Sequence, residues 1–160
     1  MARSSPITIA TEPFDLDGFE AFAAALAHQL APGDALLLSG ELGAGKTTFA
    51  RAVLKALGHP GDVPSPTWTL VELYPAPPLR LPAAHADLFR LPPGGVLDDL
   101  DLEGALADGI LLLEWPERLG PDRFPQALHV RIEPEGADRR RLTCSGGPAW
   151  SGRLPPAGRP

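Results

Sequence analysis

Apolar positions along the chain follow two different periods, and the change from one to the other predicts strands and helices in turn. Alternating or short continuous apolar runs predict strands, whereas apolar residues three and four positions apart predict helices. The predicted elements are, in chain order, a strand over 6–11, a helix over 16–30, a strand over 35–39, a helix over 46–57, strands over 67–74 and 83–88, one or two short helices between 97 and 108, a strand over 110–114, a helical turn over 116–119, and strands over 127–133 and 139–145.

Three features mark the boundaries of these elements. Asp17 and Glu20 have the spacing of a capping box at the start of the first predicted helix. Gly58 follows the second predicted helix and is expected to stop it. Four prolines within residues 75–82 predict a surface excursion at the tip of a hairpin.

The stretch between the second strand and the second helix fits the phosphate-binding pattern G-x-x-x-x-G-K-[ST] without a mismatch. Its glycines let the backbone curl so that successive N–H groups face phosphate oxygens, and the helix that follows adds its positive N-terminal end. The pattern also assigns an ammonium group to the outer phosphates and a hydroxyl to a Mg²⁺ ion. The predicted nucleotide-binding residues here are Gly40, Gly43, Ala44, Gly45, Lys46, Thr47 and Thr48.

The order of the elements around this loop predicts an α/β fold. A βαβα start followed by strands, short helices and strands is typical of a three-layer sandwich of the P-loop NTPase type, with a mixed, mainly parallel central sheet. Its ligand is expected at the carboxyl ends of the parallel strands. We predict one domain over residues 1–147 and a disordered Gly- and Pro-rich tail over 148–160.

Two further segments are candidates for the same site. Glu114 ends a continuously apolar run, and a carboxylate at that position is typical of the second ligand sphere of Mg²⁺ in phosphate-loop proteins; a surface glutamate at a strand end is the alternative. The hydroxyl-rich residues 65–69 are stiffened by Pro64 and Pro66 and suit a switch segment. A plain loop that leads into a strand fits this pattern equally well.

Composition narrows the class of protein. The 160 residues are 44% apolar and 21% charged with a net charge of −6, which favours a globular domain and argues against a general nucleic-acid coat. Cys144 is the single cysteine, so no intrachain disulfide exists, and no apolar run suits a signal core or a membrane span. We therefore expect a cytoplasmic protein. The sequence contains no asparagine, which excludes the N-K-x-D guanine-reading motif.

Four motifs together resemble the TsaE family, the small bacterial ATPases of threonylcarbamoyladenosine synthesis on tRNA. Residues 40–48 carry the phosphate loop, 65–70 the hydroxyl-rich segment, 85–91 the sequence His-Ala-Asp-Leu-Phe-Arg-Leu, and 113–117 the sequence Leu-Glu-Trp-Pro-Glu. Their order and spacing match the family over roughly residues 11–145. The Glu-Trp-Pro and His-x-Asp-Leu combinations are more specific than the loop, which many unrelated proteins share.

The resemblance implies an accessory ATPase, with ATP and Mg²⁺ as cofactors, that works with the proteins TsaD and TsaB. TsaD transfers the threonylcarbamoyl group from its adenylate onto the adenosine next to the anticodon, and TsaE is needed for repeated cycles. The implied contact with tRNA is through the complex. No contact with a membrane is implied.

The resemblance also implies roles for individual residues. Thr47, Asp87 and Glu114 look like the Mg²⁺ sphere, and Lys46, Asp87 and Glu114 like the catalytic set. His85 and Trp115 look like neighbours of the site. The switch segment would be formed by Ser65, Thr67 and Thr69. The adenine pocket is expected near Thr11, in the stretch that ends at Phe14.

Two other functions fit a phosphate loop. A small-molecule kinase of this fold needs an arginine-bearing lid over the acceptor, and no compact lid pattern is visible between residues 110 and 141. A non-catalytic nucleotide-dependent regulator would bind Mg²⁺ and ATP without turnover.

Overall fold

The computed structural model describes residues 5–64, 70–91, 100–120 and 123–158. Within these residues, the strands are β1 (Ile7–Ala10), β2 (Ala35–Ser39), β3 (Val71–Tyr74), β4 (Ala83–Asp87), β5 (Ile110–Glu114), β6 (Leu128–Glu135) and β7 (Arg139–Gly146). The α-helices are α1 (Leu16–Ala27), α2 (Lys46–Ala56) and α3 (Leu102–Ala105), and 3₁₀ turns cover Pro116–Arg118 and Pro148–Trp150.

All seven strands belong to one sheet in the order β1-β7-β6-β2-β5-β4-β3. The four central strands β6, β2, β5 and β4 are parallel to one another. At one edge β7 and β1 continue the sheet in antiparallel pairs, and at the other edge β3 pairs antiparallel with β4. The predicted α/β class with a mixed sheet and a parallel centre is confirmed, as is the hairpin that joins β3 to β4.

The central strands are buried on both faces because helices and connecting segments cover the sheet on each side. On β2, Leu36 and Leu38 pack on the side of α1 and α2, while Leu37 packs on the opposite side. That opposite side is covered by α3 and by the segment that leads into β6, which contributes Phe124. The chain is thus a three-layer sandwich.

The ends of the two large helices agree with prediction only in part. The α1 N-cap is Asp15, whose side chain accepts a hydrogen bond from the Gly18 N–H at 2.9 Å, so the predicted Asp17–Glu20 capping box is wrong. The helix ends at Ala27 with His28 as its C-cap, and the N–H groups of Gln29 and Leu30 then bond three positions back in a turn. The predicted stop of α2 is confirmed: Gly58 has φ +115°, and a Cβ there would lie 2.8 Å from the Pro78 carbonyl oxygen.

The C-terminal residues pack on the domain, contrary to the predicted disorder. Trp150 is 1% exposed, and its Nε1 donates to the Gln126 carbonyl at 2.9 Å. The guanidinium of Arg153 lies 4.2 Å from the Trp150 ring centroid and pairs with Asp34. The aromatic anchor and this ion pair hold residues 148–158 in place despite their Gly and Pro content.

Some predictions lie outside the described residues. They include the start of the strand predicted over 67–74, of which Val71–Tyr74 is observed as β3, and the first residues of the helical region predicted between 97 and 108, of which α3 is the observed part. Within the ranges that the structure describes, no helix is long and apolar enough to cross a bilayer.

Candidate functional site

The predicted site residues meet at the carboxyl edge of the parallel strands. β2 leads into the loop before α2, and the last residues of β4 and β5, Asp87 and Glu114, are paired in register. Glu114 also stands next to Leu38 of β2. Because side chains alternate along a strand, Asp87 and Glu114 point to the same face as Leu112, which is the face that α2 covers. Both carboxylates therefore lie beside the start of α2.

Glycine is required in the loop for two different reasons. Gly40 has φ +150°, and a Cβ there would lie 2.5 Å from the Ile132 carbonyl oxygen, so the loop begins pressed against β6. Gly43 has φ +78° with open space around it, which leaves its backbone accessible from the cleft. The loop is thus fixed on the side of the sheet and open on the side of the cleft, as a phosphate cradle requires.

Lys46 is held almost completely inside the site. It is 4% exposed, and its Nζ donates to the carbonyl oxygens of Gly40 and Glu41, each at 2.7 Å. Nζ also lies 4.1 Å from the centroid of the Trp115 ring. An ammonium group has three N–H donors, so one donor remains for a ligand oxygen. Burial lowers the pKa of Lys46, while nearby carboxylates, with Glu114 the strongest, oppose that shift.

A chain of two hydrogen bonds joins the loop to the middle of the sheet. The Thr47 hydroxyl donates to Glu114 Oε1 at 2.8 Å, and Glu114 Oε2 lies 2.6 Å from His85 Nε2. Glu114 and His85 are 2% and 0% exposed. Since Thr47 gives its proton to Glu114, the lone pairs of its oxygen stay available to a cation.

Asp87 is the second carboxylate of the site. Its Oδ1 accepts a hydrogen bond from the Phe89 N–H at 3.0 Å, which fixes the carboxylate at the end of β4. Burial raises the pKa of Asp87, and the Phe89 hydrogen bond acts in the opposite direction. Asp87 is only half-buried, so its other oxygen, Oδ2, can take part in binding from the cleft.

The donor set fits Mg²⁺. Thr47, Asp87 and Glu114 offer hard oxygen atoms, which this ion prefers. No group of three or more His, Cys, Asp and Glu side chains suited to a metal occurs among the described residues. Mg²⁺ is commonly held by one or two carboxylates together with substrate phosphates, so the residues present suit a metal that arrives with a nucleotide.

Most of the predicted site residues line one cleft above the loop. The residues around it are Leu42, Gly43, Gly45, Lys46, Thr47, Thr48, Leu70, Asp87, Phe89, Arg90, Glu114 and Trp115. Of the other predicted loop residues, Gly40 faces a neighbouring groove and Ala44 is fully buried. His85 lies beneath the cleft and reaches it through Glu114.

Thr11 stands apart from this cleft. It is 1% exposed, and its hydroxyl donates to the Glu12 carbonyl at 2.7 Å and accepts from the Leu142 N–H at 3.0 Å. The side chain that we predicted beside the adenine ring thus bonds to the backbone of Glu12 and to the backbone of Leu142 on β7. The predicted switch residues Ser65, Thr67 and Thr69 lie outside the described residues.

Three contributors to the site were missed from the sequence. Arg140 on β7 donates from Nε to the Ala44 carbonyl at 2.8 Å and thereby supports the loop from behind. Leu42 and Phe89 stand 75% and 42% exposed at the mouth of the cleft. The local sequence pattern could not identify Arg140, because its contact depends on the pairing of distant strands. Leu42 could have been identified, because it is an apolar residue within an otherwise small and polar loop.

Trp115 occupies an unusual backbone conformation directly after β5. Its φ of +62° is the one positive value for a non-glycine residue in the part of the chain that the structure describes. Such a conformation costs about 1–3 kcal/mol and is often retained where function requires it. Here it places the indole over Lys46 and against Phe89, with ring centroids 5.0 Å apart. The strained residue therefore forms a wall of the cleft.

A glycine-rich loop lies between the buried parallel strand β2 and a helix, and its threonine bonds to a carboxylate on the neighbouring strand β5. This arrangement defines a fold of the P-loop NTPase type. The family model described as "Threonylcarbamoyl adenosine biosynthesis protein TsaE" matches residues 15–142. The chain belongs to the TsaE family and so to the proteins of tRNA threonylcarbamoyladenosine biosynthesis.

Individual relatives agree with this assignment. The TsaE protein of Streptomyces coelicolor is 38% identical over 133 residues, which cover 79% of this chain and 89% of the relative. That of Mycobacterium tuberculosis is 36% identical over 130 residues, covering 76% and 77%. The crystal structure of Bacillus subtilis YdiB is similar with a TM-score of 0.70 and 29% identity, covering 93% of this chain and 90% of that one.

Proposed function

We propose that the chain is a Mg²⁺-dependent ATPase that works with TsaD and TsaB in the modification of the adenosine next to the tRNA anticodon. The proposed setting is the cytoplasm, and the proposed contact with tRNA is made by the assembled complex. A net charge of −6 supports contact with tRNA through the complex, since a protein that binds RNA alone generally presents a basic surface.

The hydrogen bond between Thr47 and Glu114 is the observation that carries this proposal. It joins the start of α2 to the end of β5 at 2.8 Å, across residues far apart in sequence. A loop that merely capped a helix would need no buried carboxylate on its threonine. The bond orients the Thr47 hydroxyl so that the lone pairs of its oxygen can coordinate a cation.

The remaining residues have roles that follow from their positions. Backbone N–H groups of the loop and the N-terminal end of α2 would hold phosphate oxygens, and the remaining Lys46 donor would reach the outer phosphates. Asp87 and Glu114 would hold the metal directly or through its water molecules. When bound, Mg²⁺ would neutralise charge on the phosphates.

Slow turnover without partners is part of the proposal. Among the described residues that line the cleft, the cationic side chains are Lys46 and Arg90. Phosphoryl transfer gains several orders of magnitude in rate from an added positive charge at the transferring group. We infer that docking to the partner proteins completes the charge complement of the site.

We assign the switch role to Ser65, Thr67 and Thr69. Leu70, directly after this segment, lines the cleft, and Val63 shortly before it is buried. The described residues on either side of the segment are thus a buried residue before it and a residue of the cleft after it. A hydroxyl from it would contact the terminal phosphate or its metal and release on hydrolysis.

Reconstituted modification tests this function. Threonylcarbamoyl adenylate, tRNA, TsaD and TsaB are combined with this chain and Mg²⁺–ATP, and modified adenosine is counted per TsaD molecule over time. The wild-type chain is expected to support many cycles. Glu114→Gln, which keeps the shape and loses the charge, is expected to support far fewer. Equal numbers of cycles with both chains would reject the proposed site.

Chromatography of labelled ATP products separates this function from its alternatives. An ATPase beside its partners releases free phosphate, whereas a kinase transfers the label to an acceptor. A regulator without catalysis would leave ATP intact under the same conditions. Release of phosphate that depends on TsaD and TsaB is the expected result.

A further inference from the structure

His85 is a buried polar side chain to which the proposed function gives no task of its own. It is 0% exposed in the middle of β4, and its Nε2 lies 2.6 Å from Glu114 Oε2. Its other ring nitrogen, Nδ1, is buried without a hydrogen-bond partner among the described residues. A buried imidazole with one bonded and one unbonded nitrogen is costly, so its presence beside the candidate metal site requires a physical explanation.

The unbonded nitrogen determines the direction of the hydrogen bond to Glu114. If Nδ1 carried a proton, an N–H donor would be buried with no acceptor, which costs more than a buried lone pair. The proton of the neutral ring therefore resides on Nε2. His85 donates to Glu114 Oε2, while Thr47 donates to Oε1. Each carboxylate oxygen thus has its own donor, and the carboxylate plane is fixed by both.

We propose that His85 is a positioning residue that raises the affinity of the nucleotide site for Mg²⁺ by holding Glu114 toward Thr47. This inference rests on the proposed binding of Mg²⁺ and nucleotide. Without the His85 donor, the carboxylate can turn about its last side-chain bond, and Thr47 loses the acceptor that orients its hydroxyl. The effect reaches the cation through two hydrogen bonds, although His85 itself touches neither metal nor phosphate.

A purely structural role makes a different prediction. A histidine needed only to fill the space beneath the site would be replaceable by any side chain of suitable volume. A positioning histidine requires an N–H donor at the place of Nε2. Glutamine carries its amide nitrogen the same number of bonds from Cβ as His Nε2, whereas methionine has similar length and no donor. His85→Gln and His85→Met therefore differ mainly in the hydrogen bond to Glu114.

The test measures ADP binding by calorimetry in excess Mg²⁺ and in excess EDTA, for the wild-type chain and both variants. The ratio of the two affinities is the Mg²⁺ enhancement. Loss of a group that supports a metal ligand typically lowers metal affinity by about 10- to 100-fold. We expect His85→Met to lose about that factor of the enhancement, with ADP affinity in EDTA unchanged. His85→Gln is expected to stay within about threefold of the wild type, on the same principle.

Other results overturn the inference. A folded His85→Met chain with the wild-type enhancement would show that Glu114 needs no donor from His85. Equal losses in both variants would reduce His85 to a packing residue. Circular dichroism checks folding, and His85→Asn, whose amide is too short to reach Glu114, serves as a second variant. If neither His85→Met nor His85→Asn folds while His85→Gln does, His85 is a folding residue and the proposal is rejected.

ADP binding by the wild-type chain shows whether a negative result contradicts this inference or the proposed function. A wild-type chain that binds no ADP under either condition contradicts the proposed function itself. A wild-type chain that binds ADP with Mg²⁺ enhancement, together with an unaltered His85→Met chain, contradicts only the role given to His85.

Discussion

Replacing Lys46 by methionine should separate nucleotide affinity from fold stability. Methionine keeps a long unbranched stem against Trp115 and removes the ammonium group. In the wild type, two N–H donors of Lys46 Nζ are engaged by the carbonyl oxygens of Gly40 and Glu41, so one N–H remains for a phosphate. A hydrogen bond that involves a charged group contributes about 1.5–3 kcal/mol, which corresponds to about 10- to 150-fold in affinity. We expect Lys46→Met to weaken ATP binding by about that factor.

The stability of the fold should change little. The variant loses two hydrogen bonds to carbonyl groups, but it also removes a buried charge, and burial lowers the pKa of Lys46 because the folded chain disfavours that charge. We expect these opposing effects to leave a net change of about 1 kcal/mol or less, a shift of about 2–4 °C in Tm. Because the pKa of Lys46 is lower in the folded chain than its ordinary value of 10.5, the folded wild type loses the ammonium proton at a lower pH than the unfolded chain does. Wild-type stability relative to Lys46→Met should therefore rise with pH toward that value.

The assay is calorimetric titration with ATP, paired with thermal unfolding of the same samples. Lys55→Met is the matched control, since Lys55 is the other lysine of the chain and lies exposed in the last turn of α2. The control should bind ATP as the wild type does. A folded Lys46→Met chain with wild-type affinity would refute the reasoning, because the third donor would then have no ligand.

The remaining predictions concern the second carboxylate, the proposed switch segment, the C-terminal residues and the cysteine. Asp87→Asn should lower partner-dependent ATP hydrolysis by about 100-fold or more, and normal hydrolysis would remove Asp87 from the site. Thr67→Val should bind ADP normally yet lose the difference between ATP and ADP in affinity for TsaD–TsaB, measured by titration; retained ATP-dependent docking would make Thr67 structural. Trp150→Ala should lower the free energy of unfolding by about 3–5 kcal/mol in urea titrations, whereas a disordered tail would show no change. Burial raises the pKa of Cys144 to about 12, above its ordinary 9.0, so stability should fall as pH rises between these values; a Cys144→Val chain that falls equally would contradict this.

The phosphate loop and its flanking elements were predictable because their signals are local. The spacing of Gly40, Gly45 and Lys46, a buried strand before them and a helical pattern after them all lie within one short stretch. Glu114 could be proposed in the same way, from its place after four apolar residues. Its contact with Thr47 could not, since that distance depends on β2 and β5 being neighbours.

The errors arise where two local signals compete or where a partner is distant. Asp15 and Asp17 are both acceptable N-caps, and the contact of Asp15 with Gly18 decided between them. Trp150 stands in a Gly- and Pro-rich stretch that reads as disordered by composition. Its burial depends on the Gln126 carbonyl and on Arg153, which composition does not encode.

The pairing of the first strand with the last has a consequence for synthesis on the ribosome. β1 leaves the ribosome before the other described strands, yet its partner is β7, with Ile7 opposite Gly146. Translation proceeds at about 5–20 residues per second, so β1 waits on the order of ten seconds for its partner. The loop waits almost as long, because Gly40 is pressed against Ile132 of β6. A nascent chain that has not reached β6 therefore lacks the backbone against which the start of the loop packs, however early the loop itself is translated.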